Sequence, residues 1–118
     1  MRKLAYLFVG LAAAVTTALP AAPRATAAST YWGAIAVSDW GSIGSAWDYP
    51  SPSAAKSAAL SSCGDYTCEV LTTFVDCGAV SYSYGYGSYT GGNGASRYEA
   101  ESDSQWYSDS YVIKSICN

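Results

Sequence analysis

Gly33-Ala-Ile-Ala-Val-Ser38 returns 45 residues later as Gly78-Ala-Val-Ser-Tyr-Ser83. Both segments alternate small and β-branched residues, as strands do. The helix signals keep the same step. Ser51 can cap a helix, and Pro52 fits its first position, where a missing N–H costs nothing. Ser96 stands 45 residues after Ser51, with Glu99 at capping-box spacing. Val70-Leu71 then matches Val112-Ile113 at an offset of 42, so the second copy is about three residues shorter between helix and strand. The repeat predicts an α+β fold: two degenerate ββαβ copies forming a mostly antiparallel sheet with two helices.

Within the first copy, Gly33–Ser38 is the opening strand, Asp39-Trp40-Gly41 a turn, and Ser42–Trp47 the returning strand. The helix runs over the alanine-rich segment Ser53–Ser62 to a glycine stop at Gly64. Its Ala55, Ala58, Ala59 and Ser62 make a face small enough to sit close on a sheet. Cys68–Val75 reads as the strongest strand, and Asp76-Cys77-Gly78 as the turn out of it. In the second copy, Ala79–Tyr86 is a strand and Gly87–Gly94 a glycine-rich loop. A helix should run from Ser96 to about Tyr107, and Tyr111–Cys117 closes the chain as a strand.

The start of the chain predicts export. Arg2 and Lys3 precede an apolar stretch from Leu4 to Val15, Pro20 breaks it, and Ala25-Thr26-Ala27 offers small residues at signal-peptidase spacing. Residues 1–27 are therefore expected to be a cleaved signal peptide, and 28–118 one small domain secreted or held in the cell envelope. The run from Leu4 to Pro23 approaches the ~20 residues of a membrane anchor. Its Thr-, Ala- and Pro-rich end is weakly apolar, so no membrane association is expected after cleavage. The whole chain carries a formal charge of −3. Residues 28–118 hold three cations (Lys56, Arg97, Lys114) against nine carboxylates, a net of −6. Phosphate backbones and anionic membranes repel such a surface, which argues against nucleic acid as a partner.

All four cysteines lie in that domain, and in an exported chain an even count reads as two disulfides. Four cysteines allow three pairings. The repeat favours Cys63–Cys68 and Cys77–Cys117. The first pair sits in the loop that the second copy lacks. Cys77 and Cys117 each follow their copy's last strand, so they can meet across a pseudo-twofold axis. A four-cysteine zinc site usually has close pairs, and Cys77 and Cys117 stand alone.

The pattern Gly33–Ala36, Trp47-Asp-Tyr-Pro-Ser51, Cys63-Gly-Asp-Tyr-Thr-Cys68-Glu-Val70 and Cys77-Gly-Ala79 resembles the domain-of-unknown-function 4189 family of small exported bacterial proteins. The match covers essentially all of residues 28–118 and is better in the first half. Family members commonly carry a cysteine pair in the second copy, where this chain has polar or aromatic residues around Gln105–Ser110. The resemblance implies fold and compartment. It brings no catalytic residues.

The sequence contains no histidine, which removes Ser-His-Asp and Cys-His nucleophilic sites and most zinc or copper sites. No P-loop or dinucleotide fingerprint follows a strand. Glu99 with Asp103, and Glu101 with Gln105, lie one helical turn apart. A glycosidase needs two carboxylates facing each other across a groove, whereas these read as a solvated helix face. Asp39, Asp48 and Asp76 lack EF-hand spacing and suit turns. No catalytic residue, cofactor or metal is expected.

The unusual stretch is Ser81-Tyr-Ser-Tyr-Gly-Tyr-Gly-Ser-Tyr89. On a strand, Tyr82, Tyr84 and Tyr86 would share one face. That row, with Tyr89 and extended by Trp40 and Trp47, has the composition of an antibody-like contact surface. Alternatively it is the inner face of the sheet, packed under a small-residue helix. The expected function is a non-catalytic, monomeric module presenting a Tyr/Trp face to an unidentified protein or glycan. Its rivals are a secreted inhibitor of a protease or other hydrolase inserting Ser88–Ala95, a small carboxylate-dependent hydrolase, and a structural domain of a surface layer.

Overall fold

A computed structural model of the chain describes residues 30–118. The expected signal peptide, residues 1–27, lies outside the described residues. The first copy forms β1 (Trp32–Val37), β2 (Ile43–Tyr49), α1 (Pro52–Cys63) and β3 (Glu69–Phe74). The second forms β4 (Cys77–Ser83), β5 (Ser88–Gly94), α2 (Arg97–Ser104) and β6 (Tyr111–Cys117). The antiparallel sheet is divided in two, one three-stranded sheet per copy, in the orders β2-β1-β3 and β5-β4-β6. Each copy therefore puts its first strand in the centre.

Strand alternation sorts side chains into layers. Ala34, Ala36 and Ala46 turn outward beneath Ala55, Ala59 and Cys63 of α1. Ala79 and Cys77 turn outward beneath Ala100 of α2. The remaining positions, Ile35, Val37, Phe74 and Val80, meet between the sheets, with Ile43, Leu71, Tyr89, Ile113 and Ile116 around them. The layers thus run helix, sheet, sheet, helix. Methyl-sized side chains let each helix sit close to its sheet, and the larger apolar groups fill the space between sheets.

The repeat holds to the residue in this core. Ile35 and Val80, 45 apart, are both fully buried, and each immediately precedes the irregularity in its copy's second pairing. Gly33 and Gly78 are equivalents too, and the Phe74 ring lies between them: a Cβ on either would strike it. Both helix caps form as expected. Ser51 Oγ accepts from Ala54 N and Ser96 Oγ from Glu99 N, each at 3.1 Å. Gly64, at φ 76°, closes α1 in the left-handed conformation that glycine tolerates.

The structure corrects three boundaries. The expected loop Gly87–Gly94 is mostly strand β5, fully paired with β4 from Ser83–Ser88 to Cys77–Gly94. Its glycines mark close approach: a Cβ at Gly91 would enter the Leu71 carbonyl, and one at Gly92 the backbone of α2 at Ser104. Cys77 and Gly78 belong to β4, leaving Val75-Asp76 as the bend between the copies. Helix α2 stops at Ser104, short of Tyr107. Ser104 Oγ turns back to the Glu101 carbonyl at 2.8 Å, and Trp106 Nε1 leaves the helix to donate to Gly91 O at 3.1 Å.

The disulfides are Cys63–Cys68 and Cys77–Cys117. The second pair does not cross a pseudo-twofold axis. Cys77 and Cys117 are cross-strand partners within the second sheet, with Cα atoms 4.0 Å apart.

Candidate functional site

The tyrosine row is broken by a serine. Ser83 ends β4, so residues 84–87 form a turn and only Tyr82 of the three lies on the strand. Ala79, Ser81 and Ser83 alternate toward α2, where Ser81 Oγ meets Ser104 Oγ at 2.6 Å. Tyr82 points the other way, on the side of Val80. The small-residue helix therefore covers the serine face, and the tyrosines are neither one flat row nor the floor beneath α2.

Ser83 repeats the role of Ser38, its equivalent. Both are buried, and both turn the chain after the central strand. Ser38 Oγ accepts from Trp40 N at 3.1 Å and from Ser42 N at 2.9 Å. Ser83 Oγ accepts from Tyr86 N at 3.2 Å and donates to Asp109 Oδ1 at 2.6 Å. Asp109 Oδ2 accepts from Gly85 N at 2.7 Å. The carboxylate thus ties the turn to the α2–β6 connection. These bonds stabilise its charged form, the Ser83 hydroxyl most and the Gly85 N–H next, and hold the carboxyl below its usual range.

On this frame the tyrosines pair off. Tyr82 faces Tyr89 across the ladder, ring centroids 4.6 Å apart, where the first copy has Val37 facing Ile43. Tyr84 lies near-parallel to Tyr111 at 5.6 Å and edge-on to Tyr82 at 5.3 Å. Tyr86 stacks on Tyr107 at 3.9 Å and 18°. Tyr84 and Tyr86 nevertheless remain 76% and 69% exposed. Hydrogen bonding with the Tyr84 side chain chiefly pushes the Tyr111 pKa up to about 12, with desolvation and the neighbouring phenols adding. Burial above all raises Tyr89, with Tyr82 and Tyr84 adding to it. The result is an exposed aromatic patch on a turn held by hydrogen bonds.

The remaining candidates separate. Trp40, 78% exposed, follows Ser38 in the β1–β2 turn, and Tyr89 Oη lies beside the neighbouring Gly41. Trp40 is therefore at the tyrosine end. Trp47 is exposed on β2 near Tyr49, which pairs with Trp32 at the opposite end. Sequence reasoning missed Tyr107 and Tyr111. Their spacing from the Ser/Tyr stretch carries no signal, and the three-dimensional partner is the Asp109 clamp between them.

The acidic candidates of α2 are tied to their own domain. Glu99 Oε1 accepts from Ala95 N at 3.0 Å, Asp103 Oδ2 from Asn93 N at 3.1 Å, and Glu101 Oε2 from Ser115 Oγ at 2.7 Å. Asp39 lies in the turn near Trp40, its N–H on Thr67 Oγ1 at 3.0 Å. Asp48 and Asp76 line an open hollow of about 430 Å³ at the other end, beside the Cys77–Cys117 bridge and Asn118. Asn118 closes that end, donating to the Val75 carbonyl at 2.5 Å and accepting from Asp48 N at 2.7 Å. No helix among the described residues is long and apolar enough to cross a membrane.

The family model described as "Domain of unknown function (DUF4189)" matches residues 32–116. The chain is 46% identical over 74 residues to the uncharacterized protein Rv1813c of Mycobacterium tuberculosis, an alignment covering 62% of this chain and 50% of that one. It is 54% identical over 57 residues to protein Rv1269c of the same organism, covering 48% and 45%. The chain thus spans about half the length of the curated relatives it matches. Its fold is similar to the NMR structure of Rv1813c, with a TM-score of 0.63 at 36% identity, covering 85% of this chain and 81% of that one.

Proposed function

The chain belongs to the DUF4189 family, and from that premise we propose that it is an exported, non-catalytic binding module recognising a protein or glycan through its tyrosine turn. The observation that carries this reading is the pair Tyr84 and Tyr86, three-quarters and two-thirds exposed yet held in place by Asp109 and by stacking on Tyr111 and Tyr107. Large aromatics in water cost solvation and are seldom clustered without a partner. Fixing them beforehand lowers the ordering cost of binding. Trp40 adds contact area at the same end.

Export is supported by the two disulfides and by the composition of residues 1–27. A non-catalytic role is supported by the absence of histidine from the sequence, the paired cysteines, and the carboxylates of α2 turned to their own domain. The inhibitor reading loses its inserting loop, because Ser88–Gly94 is strand β5.

The test is capture on the immobilised, disulfide-intact protein from culture supernatant and envelope extract, with a glycan array alongside. A Tyr84→Ser/Tyr86→Ser variant, checked for native circular dichroism, runs in parallel. A ligand held by the parent and lost by the folded variant supports the reading. A ligand held equally by both moves the binding face elsewhere.

A further inference from the structure

We propose that Tyr86 and Tyr107 form an oxidative cross-linking site, at which a peroxidase and hydrogen peroxide join the two rings into an intramolecular dityrosine. The inference stands apart from the binding reading. It rests on three observations. The two rings lie 3.9 Å apart between centroids and 18° from parallel, in contact over their faces. Tyr86 is 69% exposed, within reach of a large oxidant. The segments that carry them are already tied, by Asp109 to Ser83 and Gly85, so the rings meet without a search.

The chemistry balances. The oxidant takes one electron from each phenol and each O–H loses its proton, leaving two tyrosyl radicals. Their spin density lies partly on the carbons ortho to oxygen. Two ortho carbons join, and their two hydrogens move to oxygen and restore the aromatic rings. Two hydrogen atoms leave in total, and one peroxide is reduced to two waters.

Geometry selects this pair over its neighbours. Tyr84 and Tyr111 stand 5.6 Å apart between centroids and 29° from parallel, a looser stack than that of Tyr86 on Tyr107. Tyr82 and Tyr89 are tilted by 48° and half-buried on the inter-sheet side. The location also has a structural logic. In the first copy the loop after α1 is stapled by Cys63–Cys68. The loop after α2 has no disulfide among the described residues, and the new bond would fasten it to the β4–β5 turn.

The experiment treats the disulfide-intact protein, diluted to suppress collisions, with a haem peroxidase and a small molar excess of peroxide. Expected is a monomer lighter by two hydrogen atoms, with dityrosine fluorescence and a cross-linked peptide pair containing Tyr86 and Tyr107. Tyr86→Phe and Tyr107→Phe each keep the stacked ring but cannot form a phenoxyl radical, and each abolishes the monomeric product. Tyr84→Phe leaves it. A cross-link found only between molecules, one mapping to Tyr84 and Tyr111, or one that survives Tyr86→Phe overturns the proposal.

Discussion

Replacing Gly78 by alanine should destabilise this protein, although the same change usually stabilises a strand. Glycine inside a strand costs roughly 0.5–1 kcal/mol relative to alanine in chain entropy. At Gly78 that gain is outweighed, because the new Cβ would fall on the ring of Phe74, itself 2% exposed between the sheets. Overpacking a close-packed core costs about 1–3 kcal/mol. Gly33 presses on the other side of the ring, so the ring has nowhere to retreat. The net expectation is a loss of about 1–2 kcal/mol, or roughly 4–16 °C in Tm for a domain of this size. The assay is thermal and urea unfolding of Gly78→Ala, Phe74→Ala and the double variant. Phe74→Ala alone should cost about 3–5 kcal/mol. In its background Gly78→Ala should become neutral or stabilising, giving a coupling of at least ~1 kcal/mol. A Gly78→Ala protein as stable as the parent, or strict additivity, would refute the packing of Phe74 between the two glycines.

Three further expectations concern polar and covalent ties. Ser104→Ala should cost more than Ser81→Ala, about 1–3 against about 1 kcal/mol, in chemical denaturation, since Ser104 Oγ is committed to Glu101 O and its loss strands the buried Ser81 hydroxyl. Replacing Cys77 and Cys117 together by alanine should cost about 4 kcal/mol and Cys63 with Cys68 about 2, because the loops closed span separations of 40 and 5. The carboxyl of Asp109 is depressed when folded, so its contribution to the turn is complete above the ordinary value of 3.8 and fades as pH falls through the lower folded value. Near-ultraviolet circular dichroism of the tyrosines should follow that fade, and Asp109→Asn should flatten it.

Much of this fold was legible because the repeat places like residues in like roles. The offset of 45 aligned β1 with β4 and the cap Ser51 with Ser96, and both caps form. The same offset carries Ile43–Tyr49 onto Ser88–Gly94, yet the glycines of β5 read as a loop. Their composition reflects the closeness of Leu71 and α2 rather than flexibility, and closeness is invisible in one dimension. The disulfide pairing was anticipated for a reason the register replaces: Cys77 and Cys117 are ladder neighbours, not symmetry mates. The tyrosine row failed because alternation predicts faces only while the strand lasts, and buried Ser83 ends it with a hydroxyl that accepts from Tyr86 N. Tyr107 and Tyr111 join the patch through tertiary stacking, which no spacing encodes.

The central claim is that Tyr84 and Tyr86 form an exposed patch and do not hold the fold together. Its most direct test is the unfolding free energy of the Tyr84→Ser/Tyr86→Ser variant beside the parent. Three lost ring contacts, at about 0.5–1.5 kcal/mol each, should cost no more than about 1.5–4.5 kcal/mol with an unchanged denaturant slope. A loss of about 6 kcal/mol, the scale of two core aromatics, would make them core residues and contradict the account.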